Sequence, residues 1–200
     1  MFPLNCVLFP GGLLRLHIFE PRYRALTRDC VAGDGQLGIV LIERGNEVGG
    51  GDTRFNVGTR ARIIDAAEFT DGRWVLLLKG IERIRVQRWL PDDPYPLADV
   101  VTIEEGEPRP DAASLCRDVE RSLRKALALK AELGEPAAPA TVELDPDPRL
   151  AVDQAALAAP LGPADAQRLL ETEGPDERLA LLLEMLDDEV SVLAHRVSGQ

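Results

Sequence analysis

Between Val7 and Tyr23 the chain passes from an apolar run through a Pro-Gly-Gly turn into strict alternation, and then into a Glu-Pro helix start. Few folds accommodate that order: it asks for two strands joined by a tight turn, with a helix following at once. Residues 5–10, closed by Pro10, Gly11 and Gly12, are the expected first strand. In residues 13–19, Leu14, Leu16 and Ile18 share one face while Arg15 and His17 take the other, which fits a half-buried strand. Glu20 and Pro21 then open a helix, because the N–H that proline lacks would be unpaired there and Glu20 lies at the positive end of the helix dipole. Tyr23, Leu26 and Cys30 are its expected buried stripe.

Further strands follow. Residues 36–44 are almost continuously apolar, as in a strand covered on both faces. A loop over residues 45–52, with glycines at 49 to 51, leads to residues 57–63, where Val57, Thr59, Ala61 and Ile63 face the core and Arg60 and Arg62 face outward. Asp71-Gly72 is a hairpin turn. Leu76, Leu78, Ile84 and Val86 share a parity that Gly80 to Glu82 interrupts, which predicts a bulge or bend of the kind that helps close small barrels. After prolines 91, 94 and 96, residues 97–104 supply a last strand. Periodicity thus yields six or seven strands and one helix, a β-rich domain over residues 1–105.

Residues 106–200 read as helical. Asp111 is the expected cap of a helix carrying Leu115, Val119, Leu123, Ala126, Leu127 and Lys130, ended by Gly134. Residues 135–147 read as an exposed loop, Asp147-Pro148 as a helix start, and Pro163 as the start of a short helix stopped by Gly174-Pro175. The last helix, residues 176–197, aligns Leu179, Leu182, Leu183, Leu186, Val190 and Leu193 in one stripe that must pack on something. Net charge separates the halves: residues 1–105 carry 13 Lys and Arg against 15 Asp and Glu, and residues 106–200 carry 10 against 19. The acidic half is a poor nucleic-acid surface.

The motif Pro3-Leu4, Val7 to Gly11, Leu16 and Ile18 to Tyr23 resembles the Lon substrate-binding domain family, the amino-terminal module of Lon-type ATP-dependent proteases. Residues 57–63 are similar to its Val-Gly-Thr strand, with Gly58, and residues 79–86 to its Gly-x-x-Arg strand, with Gly80 and Arg83. Residues 167–171 and 178–186 resemble its helical C-terminal signature. The resemblance implies an α+β fold: a PUA-like β-barrel followed by a C-terminal α-helical bundle. It also implies a free-standing bacterial protein without the ATPase or peptidase modules.

Chemistry-bearing patterns are sparse. The two histidines, His17 and His195, lie in different elements and no metal-ligand spacing occurs, so no metal and no cofactor are expected. Ser114, Ser122, Ser191 and Ser198 lie outside any Gly-x-Ser-x-Gly turn, and glycines 49 to 51 lack the Gly-Lys-Ser/Thr ending of a phosphate loop. No catalytic residues are assigned. Asp145 and Asp147 each precede a proline and read as turn residues. Among the family-motif residues (Pro10, Gly11, Phe19, Glu20, Arg22, Tyr23, Gly58, Gly80 and Arg83), Phe19 and Tyr23 are expected in the core. Arg22 is expected to reach a neighbouring strand's carbonyl or carboxylate. Arg60, Arg62, Arg83, Arg85 and Arg88 would make a basic face if their strands are neighbours, and the expectation is a solvated face with acidic partners.

The resemblance implies a non-enzymatic protein that binds exposed or unfolded segments of client polypeptides, with a protease or chaperone as a further partner. RNA binding through the barrel is the rival, set back by scarce aromatics and an acidic total. Docking of a partner through the last helix is the third reading, favoured by an exposed stripe and weakened by a buried one. Three well-separated cysteines, no export signal and no membrane-length apolar run make a cytoplasmic, reduced protein the expectation. No pattern specifies an oligomeric state.

Overall fold

The computed structural model describes residues 1–47 and 51–199 and divides into two units, Met1–Ile103 and Glu104–Gln200. The first contains strands β1 (Phe2–Leu4), β2 (Leu13–Ile18), β3 (Gln36–Arg44), β4 (Thr53–Glu68), β5 (Trp74–Leu90) and β6 (Leu97–Thr102), with helix α1 (Pro21–Ala32). The strands form one mixed sheet ordered β1-β3-β4-β5-β2, with β6 also on β5, curled into a half-barrel. β1 runs parallel to β3 and the other neighbours pair antiparallel. β1 and β2 are the two ends of this path.

The expected strand at residues 5–10 is not one. β1 lies earlier, and the Leu8 and Phe9 carbonyls accept instead from the Thr59 hydroxyl and the Gly12 N–H, which takes that segment out of the ladder. β2 keeps its alternation, with Leu16 and Ile18 buried and Arg15 and His17 exposed. The interruption in β5 is a register shift between Gly80 and Glu82, both opposite β4. Here the Gly11 N–H donates to the Gly80 carbonyl and the Gly80 N–H to the Gly12 carbonyl, each at 2.9 Å. The chains are so close that a Cβ on Gly80 would strike the Phe9 carbonyl oxygen, and one on Gly58 the Ile39 carbonyl oxygen. The core between sheet and α1 contains Phe2, Leu4, Leu16, Ile18, Tyr23, Leu26, Ile39, Leu76 and Leu78.

The second unit contains α2 (Ala112–Glu132), α3 (Pro148–Ala158), α4 (Pro163–Glu171) and α5 (Pro175–Ser198). Leu179, Leu182, Leu186, Val190 and Leu193 of α5 are buried and Leu183 half-buried, in a helix that packs on α2, α3 and α4. The stripe is therefore consumed within its own unit, which weakens the helix-docking reading. Asp147 caps α3, accepting from the Arg149 N–H at 2.9 Å. Asp111 does not cap α2: its backbone is already right-handed helical and its side chain makes no capping bond. The loop over residues 135–147 is tied down, with the Val142 carbonyl accepting from Arg124 at 2.8 Å and the Leu144 N–H donating to Glu120 at 3.2 Å.

Candidate functional site

Where the strand path ends, a groove of about 300 Å³ opens between β1 and β2. Phe2 and Leu4 come from β1, Leu14 and Leu16 from the inner face of β2, and Tyr23 from the first turn of α1. The Phe2 and Tyr23 rings stack with centroids 4.2 Å apart, making a flat apolar floor. Tyr23 is only 3% exposed, and its hydroxyl is buried without a hydrogen-bond partner among the described residues. That burial pushes its pKa up to about 12.

Glu20, Glu47 and Cys6 line the polar side of the groove. Arg22 holds this corner together: its Nε lies 3.3 Å from the Glu20 carboxylate, its Nη2 donates to the Glu47 carbonyl at 3.4 Å, and its guanidinium covers the Tyr23 ring at 4.4 Å. The Glu47 carboxylate accepts from the Asn5 N–H at 2.6 Å. Partial desolvation of the Cys6 thiol, and then the Glu47 charge, raise its pKa.

Phe19 is not core. It is 53% exposed because it continues the outward parity of Arg15 and His17, and Leu13, of the same parity, is 63% exposed. Phe19, Arg15 and His17 line the groove and also, with Phe69, Arg73, Trp74 and Val75, a second depression of about 270 Å³ beside it along β2. Sequence reading missed Leu13 and Phe69 as surface residues, although Leu13 shares the parity that marks Arg15 and His17 as outward. The other motif residues lie elsewhere: Pro10 and Gly11 in the turn against Gly80, Gly58 at the β3–β4 approach, and Arg83 inside, 1% exposed. Arg83 therefore does not belong to a basic surface. On that face Arg60 pairs with Glu82, and Arg88 with Asp99 at 2.6 Å, so much of its charge is neutralised.

Glycines 49 and 50 of the expected flexible loop lie outside the described residues. Among the described residues no three His, Cys, Asp or Glu side chains gather as a metal site would require. No described helix is long and apolar enough to cross a membrane.

A mixed half-barrel with an apolar groove between its end strands, followed in the chain by a helical unit, defines an α+β architecture. The chain belongs to the ATP-dependent protease La (LON) substrate-binding domain family, whose model matches residues 1–188. It is similar to the Lon protease of Desulfovibrio desulfuricans, 32% identical over 191 residues, which cover 94% of this chain and 22% of that protein. Lon protease 2 of Myxococcus xanthus is 29% identical over 192 residues, covering 94% and 23%. The chain thus spans less than a quarter of the length of these relatives. Among solved structures, the Lon N-terminal domain protein from Xanthomonas campestris superposes with a TM-score of 0.65 at 30% identity, covering 92% of this chain and 95% of that one. The N-terminal domain of Mycobacterium avium complex Lon protease, at 21% identity, shares the fold with a TM-score of 0.69, covering 93% and 97%.

Proposed function

We propose that this chain recognises exposed or unfolded segments of client polypeptides in the groove between β1 and β2, without catalysing a reaction, in the cytoplasm. The observation that carries the reading is an open groove of about 300 Å³ with a stacked Phe2–Tyr23 floor, beside an exposed Phe19, in a substrate-binding domain of the Lon family. Apolar floors with a few fixed polar groups at the rim suit apolar side chains of a polypeptide. A protease or chaperone that receives the client is the matching partner class.

The test is fluorescence anisotropy with a reduced, carboxymethylated protein, which cannot refold, as the probe. Saturable binding is expected, weakened roughly tenfold by Phe19→Ser, since an apolar anchor contributes on the order of 1 to 2 kcal/mol. Phe19 is exposed, so that change leaves the fold intact. Absence of binding, or binding indifferent to Phe19, overturns the reading.

A further inference from the structure

The free edge of β2 carries a recognition mode that the groove alone does not specify. Because β2 pairs with β5 by a register that continues the Gly80–Gly12 hydrogen bond, Leu14, Leu16 and Ile18 direct their backbone groups to Leu78, Leu76 and Trp74. The N–H and C=O groups of Leu13, Arg15 and His17 therefore face away from the sheet. None of them bonds another described residue. β2 contains no proline, whereas the opposite end strand has Pro3, which has no N–H to offer.

We propose, building on the polypeptide-binding reading, that the client segment binds as an added β-strand on the edge of β2. Its side chains then alternate between two adjoining receptors, the groove and the outer depression, which share Arg15, His17 and Phe19 along the edge. One set enters the groove floored by Phe2, Leu4 and Tyr23 and is apolar. The other meets the outer depression, where Arg73 is already paired with Asp71 at 2.7 Å but Arg15 has no ion-pair partner among the described residues. The preferred occupant is an extended segment in which apolar residues alternate with acidic ones. Main-chain bonds supply affinity and the two depressions supply selectivity, the division of labour of strand addition.

The experiment uses the full chain and a labelled peptide in which leucine or valine alternates with glutamate, in three versions: unmodified, N-methylated at the glutamate amides, and N-methylated at the apolar amides. Residues opposite each other in a pair share a face, so an antiparallel strand presents the glutamate amides to β2 and a parallel one presents the apolar amides. One methylated series is expected to bind at least about tenfold more weakly and the other within about twofold of the unmodified peptide, since several net hydrogen bonds are at stake in only one. Equal effects in both, or in neither, overturn strand addition while binding of the carboxymethylated protein leaves the polypeptide reading standing. If neither the peptide nor the carboxymethylated protein binds, both fall. If the carboxymethylated protein binds but the peptide does not, strand addition alone is overturned. Replacing glutamate by lysine should weaken binding severalfold, and Arg15→Glu should reverse that preference; no reversal removes the assigned role of Arg15. Sedimentation of the protein alone completes the test: self-association abolished by Arg15→Pro assigns the edge to a second copy of the chain and overturns the proposal, and a monomer supports it.

Discussion

Asp153 on α3 accepts a hydrogen bond from the guanidinium of Arg178 on α5, and neither is appreciably solvated: Arg178 is 0% exposed and Asp153 8%. A second carboxylate, Glu105, lies 3.8 Å from Nη1 of the same arginine. Nε and Nη1 have no hydrogen-bond acceptor among the described residues. A buried pair of this kind gives little net stability over an apolar replacement, but breaking it strands a charge. Asp153→Ala should therefore cost about 3 to 5 kcal/mol in urea denaturation. Arg178→Met combined with Asp153→Leu should cost much less than Asp153→Ala alone, and a double variant as unstable as the single one would refute this account.

The crossing of Gly80 with the turn after Phe9 makes a second prediction. A methyl on Gly80 meets the Phe9 carbonyl oxygen and, at 3.3 Å, Pro10 Cα, both backbone atoms that cannot swing aside. Gly80→Ala should destabilise by roughly 1 to 3 kcal/mol, as overpacking does. Gly106→Ala, with open space around its position, is the control and should cost well under that. Thermal unfolding of the two variants side by side decides it.

Much of this fold was legible because local signals and tertiary demands agree. The alternation in β2, the Glu20-Pro21 helix start and the Asp147-Pro148 cap each depend on neighbours a few residues away. What was illegible depends on distant partners. Phe2 to Leu4 becomes a strand because residues 39 to 41 lie parallel to it, a contact that no local pattern announces. Residues 5–10 look equally strand-like, but their carbonyls are claimed by Thr59 and the Gly12 N–H. Arg83 reads as surface by type and is buried by position. Half of the site was readable in principle: the parity that turns Arg15 and His17 outward also exposes Phe19, but an aromatic residue before a helix invites assignment to the core.

Two tyrosines give the protein an alkaline limit. Tyr95 is raised from 10.0 to about 12, first by donating its hydroxyl proton to Asp29 at 2.6 Å and then by burial, and Tyr23 is raised to about 12, mainly by burial. In the unfolded chain both ionise near their ordinary value, so above pH 10 the unfolded state holds fewer protons than the folded one. Stability that is fully present below pH 10 must then fall as pH rises toward 12. Tyr23→Phe should remove part of that slope and leave stability at neutral pH unchanged or slightly higher, because the lost hydroxyl has no partner. Denaturation midpoints across this range, compared between the two proteins, test both statements.

Cys6 offers a reporter for the groove. It is exposed and lines the cavity near Glu47, while Cys30 is half-buried and Cys116 buried. All three are free thiols, so reductant should leave the melting temperature unchanged. The thiolate is the reactive species, and the raised pKa of Cys6 means that alkylation at neutral pH should be slower than for a free thiol and should accelerate as pH climbs past the ordinary thiol range. Glu47→Gln removes the neighbouring charge, the smaller of the two causes, and should speed the reaction modestly. A polypeptide seated between β1 and β2 covers this sulfur. Saturating carboxymethylated protein should therefore slow Cys6 labelling at least several-fold while leaving Cys30 unaffected, as followed by mass spectrometry of the labelled peptides. Equal protection of both cysteines would point to a general change in the domain, and protection of neither would place the bound chain away from the groove.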